Sequence, residues 1–133
     1  MPTPRFLTLE DILRLHTRQI ERFGGSSDVR DMGLLESAIA QPAASFSGEL
    51  LHPTLPAQAA AYLYHIAKNH PFIDGNKRTA FAVADVFIRI NRFRLSLSPS
   101  QVYELVIQVA QSDITKTALT ERLEETIVPK NSG

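Results

Sequence analysis

The chain contains no cysteine among its 133 residues. A disulfide framework, a thiolate nucleophile and a cysteine-ligated zinc or iron–sulfur site are therefore excluded. Net charge is absent too, since 14 lysines and arginines balance 14 aspartates and glutamates. Such a chain has no bulk attraction to nucleic acid or to an anionic membrane, so any binding must be local. No apolar run approaches the roughly 18 residues of a membrane span. The opening Met1-Pro-Thr-Pro-Arg-Phe also lacks a signal-peptide stretch, which reads as a cytoplasmic protein. Internal repeats, low-complexity bias and linker-like segments are missing as well. What remains, 44% hydrophobic and 21% charged, is an ordinary soluble composition, and the length suits one domain and not two. We expect that domain at residues 1–128, with 129–133 as a frayed tail.

Helical signals recur along the chain. Thr8 and Asp11 approximate a capping box, and Leu9, Ile12, Leu13, His16, Ile20 and Phe23 follow at three- and four-residue spacing until Gly24-Gly25 ends the helix. Asp31 caps a shorter helix that turns Leu34, Leu35, Ala38 and Ile39 inward and stops before Pro42. Residues 43–53 show no period and read as a flexible loop, a common place for function. A third helix is expected from about Pro56 to Asn69. From Asn76 to Ile90 the pattern is apolar on nearly every side, which predicts a central helix surrounded by others. Asn91 can close it in the left-handed conformation, and Arg92 to Leu97 is a short extended link. Ser98-Pro99-Ser100-Gln101 is a second capping box, opening a helix to about Gln111, and a last helix spans about Lys116 to Val128. The expected fold is all-α: a compact bundle of about six helices around the apolar helix at 76–90.

Chemistry concentrates in residues 70–78, His-Pro-Phe-Ile-Asp-Gly-Asn-Lys-Arg, which join two helices. A glycine just before a helix start lets a ligand approach the backbone, and the free N–H groups of the first turn favour an anion. Lys77 and Arg78 add charge to that turn, where cations oppose the helix dipole unless an anion is near. Gly75, Asn76, Lys77 and Arg78 thus outline a phosphate site. Asp74 is placed to hold a hard cation such as Mg²⁺ against the same phosphates. His70 is the candidate general base for a hydroxyl nucleophile. Phe72 and Ile73 look like anchors of the loop.

A blander reading competes: a histidine beside Pro-Phe is often a buried structural side chain, and Asp-Gly-Asn before a helix is a common turn. The segment is not a Walker A loop, since it lacks the upstream glycine and follows a helix. His65 and His70 are wrongly spaced for a helical zinc pair. His16, on the inner face of the first helix, reads as a packed core residue, and His52 has no evident partner. Arg89, Arg92 and Arg94 form a small basic cluster read as a solvated face.

At residues 70–78 the sequence resembles the Fic superfamily, and most closely its death-on-curing (Doc) branch. The opening helix ending in Glu-Arg-Phe-Gly-Gly, the Arg30-Asp31-x-Gly33-Leu-Leu-Glu-Ser-Ala segment and His70 to Asn91 resemble that branch in the same order. The adenylylating Fic pattern has a second glycine and a second arginine where this chain has Lys77 and Phe81. The Doc resemblance implies an ATP-dependent protein Ser/Thr kinase that transfers the γ-phosphate to a threonine of elongation factor Tu and arrests translation. It implies His70 as base, Asp74 on Mg²⁺, Asn76 and the Gly75 backbone on phosphate, and Lys77 with Arg78 offsetting transition-state charge. The self-inhibiting [ST]-x-x-x-E-[GN] helix of many Fic enzymes is missing: Leu105 follows Glu104, and Glu125 follows Glu124. A separate antitoxin whose disordered C-terminal segment folds into a groove is therefore implied, and residues 43–53 match the family's flap. The alternatives are a Fic-type AMP transferase and a catalytically silent Fic-fold binding or co-repressor protein. Neither nucleic acid nor membrane is expected as a direct partner.

Overall fold

Helix starts in this protein are set by local chemistry, and among the described residues five of the six helices carry a side-chain cap. The structure, a computed structural model, describes residues 3–130. The helices are α1 (Leu9–Phe23), α2 (Met32–Ala40), α3 (Leu55–Asn69), α4 (Asn76–Ile90), α5 (Pro99–Ala110) and α6 (Lys116–Thr126). Thr8 and Asp11 form the predicted reciprocal box on α1, at 2.9 and 3.2 Å, and Ser98 with Gln101 repeats it on α5, at 2.8 and 3.2 Å. Asp31, Thr54 and Thr115 each accept a backbone N–H from the first turn of α2, α3 and α6. Such caps stabilise a helix by about 1 kcal/mol each. Only α4 starts on a residue without a side chain, Gly75, in the left-handed region at φ +78°.

The bundle is built on the pair α3 and α4. Ala59, Ala60 and Ala61 of α3 are fully buried, and small side chains there let α2, α4, α5 and α6 all approach the same helix. Tyr62 and Leu63 of α3 and Val83, Phe87 and Ile88 of α4 fill the centre. Large apolar side chains buried in this way contribute about 1.5–3 kcal/mol each. Tyr62 spends its buried hydroxyl on the N-terminal segment, accepting the Leu7 N–H at 2.9 Å, and burial pushes its pKa up to about 12. The all-α expectation holds, with α4 inside the bundle. Its Phe81 and Ala82 remain only half-buried because one side of α4 lines a groove.

Two small antiparallel ladders supplement the helices. Residues read as an irregular loop instead form a hairpin, β1 (Ser45–Phe46) and β2 (Glu49–Leu50), with Ser45 opposite Leu50. All four residues are exposed, so no alternation of buried and exposed positions marked them in the sequence. The extended link after α4 is β3 (Phe93–Leu95), paired with β4 (Ile127–Pro129). The final helix therefore stops at Thr126, and Pro129 and Lys130 are held against β3 and Arg92 and not frayed. Residues 131–133 of the expected tail lie outside the described residues. At the end of α4 the left-handed residue is Arg92, at φ +77°, and not Asn91. The Asn91 side chain is committed elsewhere, bonding both the N–H and the carbonyl of Arg5.

Candidate active site

The loop between α3 and α4 is held from three directions. His70 ends α3 in the left-handed conformation, φ +52°, which costs a non-glycine residue about 1–2 kcal/mol. Arg30 compensates: its Nε donates to the His70 carbonyl at 2.7 Å and its Nη2 to the Asn69 carbonyl at 3.0 Å. The guanidinium fork thus sits at the negative end of α3. The Arg30 and Asp31 N–H groups both donate to the Pro71 carbonyl, and Val29 bridges Phe72. Underneath, Phe72 is fully buried and stacks on His16 at 3.7 Å, while His16 Nε2 donates to the Asp74 carbonyl at 2.8 Å. His16 is the packed histidine the sequence suggested. Ile73 is not an anchor, because the residue is 50% exposed.

Asn76 closes the loop from inside. It is 5% exposed; its Oδ1 accepts the Phe72 N–H at 2.9 Å and its Nδ2 donates to the Phe72 carbonyl at 2.9 Å. These two bonds fix the orientation of the amide, so the contact from Nδ2 to His70 Nδ1 at 3.1 Å is one in which the imidazole accepts. A neutral His70 then carries its proton on Nε2. The carboxamide expected to bind phosphate thus also shapes the loop and contacts its histidine.

Asp74 has one committed oxygen. Its Oδ2 accepts the Ser26 N–H at 2.8 Å. The approach is possible because residue 25 is glycine: at φ +108°, a Cβ there would stand 2.9 Å from the Asp74 Cβ. Among the described residues no three acidic or imidazole groups form a metal cluster. A cation at Asp74 would thus rest on one carboxylate plus ligand and water oxygens, the donor set that suits Mg²⁺.

The first turn of α4 opens onto a groove of about 980 Å³ between the end of α1, α4 and α5. With no side-chain cap at Gly75, the first-turn N–H groups are available to a ligand, and the groove wall there carries Asn76, Lys77 and Arg78. The Arg78 guanidinium lies 4.2 Å over the Phe23 ring, with Arg22 5.3 Å from the same ring. The ring thereby orients one cation and draws a second to the groove. Beyond this cationic end, the walls are apolar, with Phe81, Val102 and Val106 among them. Arg89 is exposed, as expected of a solvated face, and there it pairs with Asp85 at 2.9 Å and borders the groove.

Structure thus gathers His70, Asp74, Gly75, Asn76, Lys77 and Arg78 on one loop and helix start, as expected from their adjacency. It adds Arg30, Ser26, Gly25, His16, Arg22 and Phe23, which sequence reading did not assign to the site. The Glu-Arg-Phe-Gly-Gly end of the first helix and the Arg30-Asp31 segment, both part of the family resemblance, hinted at most of them. His52 is buried; its backbone carbonyl accepts from Gln58 at 3.0 Å, while its ring Nδ1 has no hydrogen-bond partner among the described residues. It lies near His65 and Lys116 in a separate cluster, where burial foremost lowers the pKa of both histidines, that of His65 to about 4.

Comparison with known proteins agrees with this geometry. Residues 6–88 match the model of the Fic/DOC family. The chain is 38% identical over 120 residues to "Toxin Doc" of Mycolicibacterium smegmatis (strain ATCC 700084 / mc(2)155), covering 89% of this chain and 90% of that protein. It is 30% identical over 119 residues to "Protein kinase doc" of Escherichia phage P1, covering 90% and 93%. With the family model spanning most of the chain and the helix–loop–helix site intact within the match, this protein belongs to the Fic/DOC family.

Proposed function

We propose that the protein is a Doc-type toxin acting as an ATP-dependent protein Ser/Thr kinase, an enzyme that halts growth until an antitoxin restrains it. One observation carries this reading: the uncapped start of α4, flanked by Lys77 and Arg78, opens on a groove large enough for a nucleotide and is tied through Asn76 to His70. The names of its relatives, a toxin and a protein kinase, point the same way.

In the proposed reaction the target hydroxyl oxygen bonds the γ-phosphorus, the bond from phosphorus to the bridging oxygen breaks, and its electron pair leaves with ADP. His70 Nε2 takes the hydroxyl proton. The Asn76 contact sets a condition on that step, because the ring must first release Asn76 and carry its proton on Nδ1. Lys77, Arg78 and the α4 N–H groups stabilise charge on the transferring oxygens, and such positioning is most of what phosphoryl transfer requires. Asp74 would hold Mg²⁺ through its uncommitted Oδ1, and the ion would neutralise phosphate charge. Lys77 favours the kinase over the AMP transferase, since a side chain occupies space that glycine would leave to the inner phosphates. The target implied by the Doc resemblance is a threonine of elongation factor Tu, presented against the exposed hairpin β1–β2, where Phe46 is 74% exposed. The antitoxin would occupy the apolar length of the groove.

The deciding experiment incubates purified protein with elongation factor Tu and ATP labelled at the α- or the γ-phosphate. Transfer of γ-label, abolished by His70→Ala, is expected. Transfer of α-label alone would establish an AMP transferase, and no transfer together with equal growth arrest by His70→Ala would leave a binding protein.

A further inference from the structure

A second cavity, of about 260 Å³, lies between the N-terminal segment, the start of α1 and the end of α4. Ile90 in its wall is roughly 20 Å along α4 from Asn76, at about 1.5 Å per residue, so this cavity is separate from the candidate active site.

Its walls are fixed without a ligand. Arg5 is bonded at both its N–H and its carbonyl by the Asn91 side chain, Phe6 stacks on Phe87 with ring centroids 5.7 Å apart, and the Leu7 N–H is held by the buried Tyr62 hydroxyl. The segment that precedes the first helix is thereby tied to α3, α4 and Asn91.

Its charge is unbalanced. Arg5, Arg14 and Arg18 line the cavity against a single carboxylate, Asp11. Both Asp11 oxygens are engaged, Oδ2 accepting the Thr8 N–H and Oδ1 paired to Arg14 at 2.6 Å. Arg5 and Arg18 have no side-chain hydrogen bond or ion pair among the described residues, and Arg14 and Arg18 stand one helical turn apart, where like charges repel. In a chain with as many carboxylates as cations, this is a local excess of two positive charges. Beneath the arginines the floor is apolar, with Phe6, Leu15 and Ile90.

An apolar floor under forked cations selects an anion attached to an apolar body, and guanidinium geometry favours a carboxylate held by two parallel bonds. The volume falls below the ~300–1,000 Å³ of typical small-molecule sites and matches one or two side chains. The α1 arginines also continue along the seam with α4: Arg22, one turn beyond Arg18, lines the large groove. We propose that this cavity is a docking site for an acidic peptide, taking an apolar side chain on its floor and a neighbouring carboxylate between Arg5 and Arg18. The site is independent of phosphoryl transfer at His70.

The test is fluorescence anisotropy with a short fluorescein-labelled peptide alternating leucine and glutamate, alongside the same peptide with glutamine for glutamate. The glutamate peptide should bind saturably and shift the Phe6 and Leu7 amide resonances. The Arg5→Gln/Arg18→Gln variant should bind it at least about tenfold more weakly, as expected for lost charge-assisted bonds. Both arginines are exposed, and an unchanged melting temperature would show that the variant folds. The proposal is overturned by no saturable binding, by equal binding of the glutamine peptide, or by equal affinity of the double variant. It is equally overturned if inorganic phosphate or a labelled oligothymidylate competes at the peptide's own concentration, or if Lys77→Gln/Arg78→Gln abolishes binding instead.

Discussion

Acid should loosen this fold through His65 well before its carboxylates titrate. The ring is half-buried on α3, and its Nε2 accepts from Lys116 Nζ at 3.1 Å, so protonation would set two positive charges side by side. Burial first, then Lys116 and His52, lower its pKa from 6.5 to about 4. The unfolded chain therefore binds this proton near pH 6.5 and the native chain only near pH 4. Stability is undiminished above the upper value, falls as the pH drops between the two, and loses nothing further from this group below the lower. At about pH 5 the unfolded ring is almost fully charged and the native ring almost neutral, a difference of about 1.5 pH units or about 2 kcal/mol. Solvent screening of a half-buried ring reduces this to about 1 kcal/mol. His52, lowered chiefly by burial, adds loss in the same direction. Urea unfolding at about pH 7.5 and about pH 5 measures the effect. His65→Gln keeps an acceptor for Lys116 but cannot titrate, so it should lose about 1 kcal/mol less than wild type between the two conditions. Lys116→Gln, which removes the neighbouring charge, should also narrow the loss. Equal losses in wild type and His65→Gln would refute the reasoning.

Arg30→Lys replaces a fork bound to two carbonyls with a single ammonium. It should cost about 1 kcal/mol of stability and lower kcat for phosphoryl transfer more than it raises KM for ATP; steady-state kinetics with an unaltered kcat would remove Arg30 from the positioning of His70. Gly25→Ala places a Cβ against Asp74 at a backbone angle that L-residues avoid. A loss of about 1–3 kcal/mol in thermal unfolding is expected, together with a raised Mg²⁺ requirement, and an unchanged requirement would count against Asp74 as the metal ligand.

Local features were legible because their causes are local. Thr8 with Asp11, Ser98 with Gln101, and Asp31 each satisfy backbone groups within three residues, so the helix starts follow from adjacent letters. The start of α4 has no such cap and was readable from Gly75 itself, a residue that adopts the left-handed conformation before a helix. Residues 43–53 were not, since a hairpin of two-residue strands with every side chain exposed leaves no period. Helix α4 looked enclosed on nearly all sides because the groove it lines is itself partly apolar, and sequence does not distinguish a groove wall from a core. Asn91 was a reasonable left-handed residue on its own, but its side chain is drawn away to Arg5 at the far end of the chain.

By itself the sequence determined the helical class, the caps at Thr8, Asp31 and Ser98, and the nine-residue segment in which an imidazole, a carboxylate and two cations meet a helix start. Only the tertiary structure decided how that segment works. Arg30 reaches the His70 carbonyl from 40 residues away, Ser26 holds Asp74 across 48, and a glycine at position 25 leaves the space for it. Asn76, expected as a phosphate ligand, is also seen to shape the loop through Phe72 and to contact the His70 ring. A side chain's chemistry is written in its identity, but which hydrogen bonds it has left to give depends on neighbours that the packed chain alone brings within 3 Å.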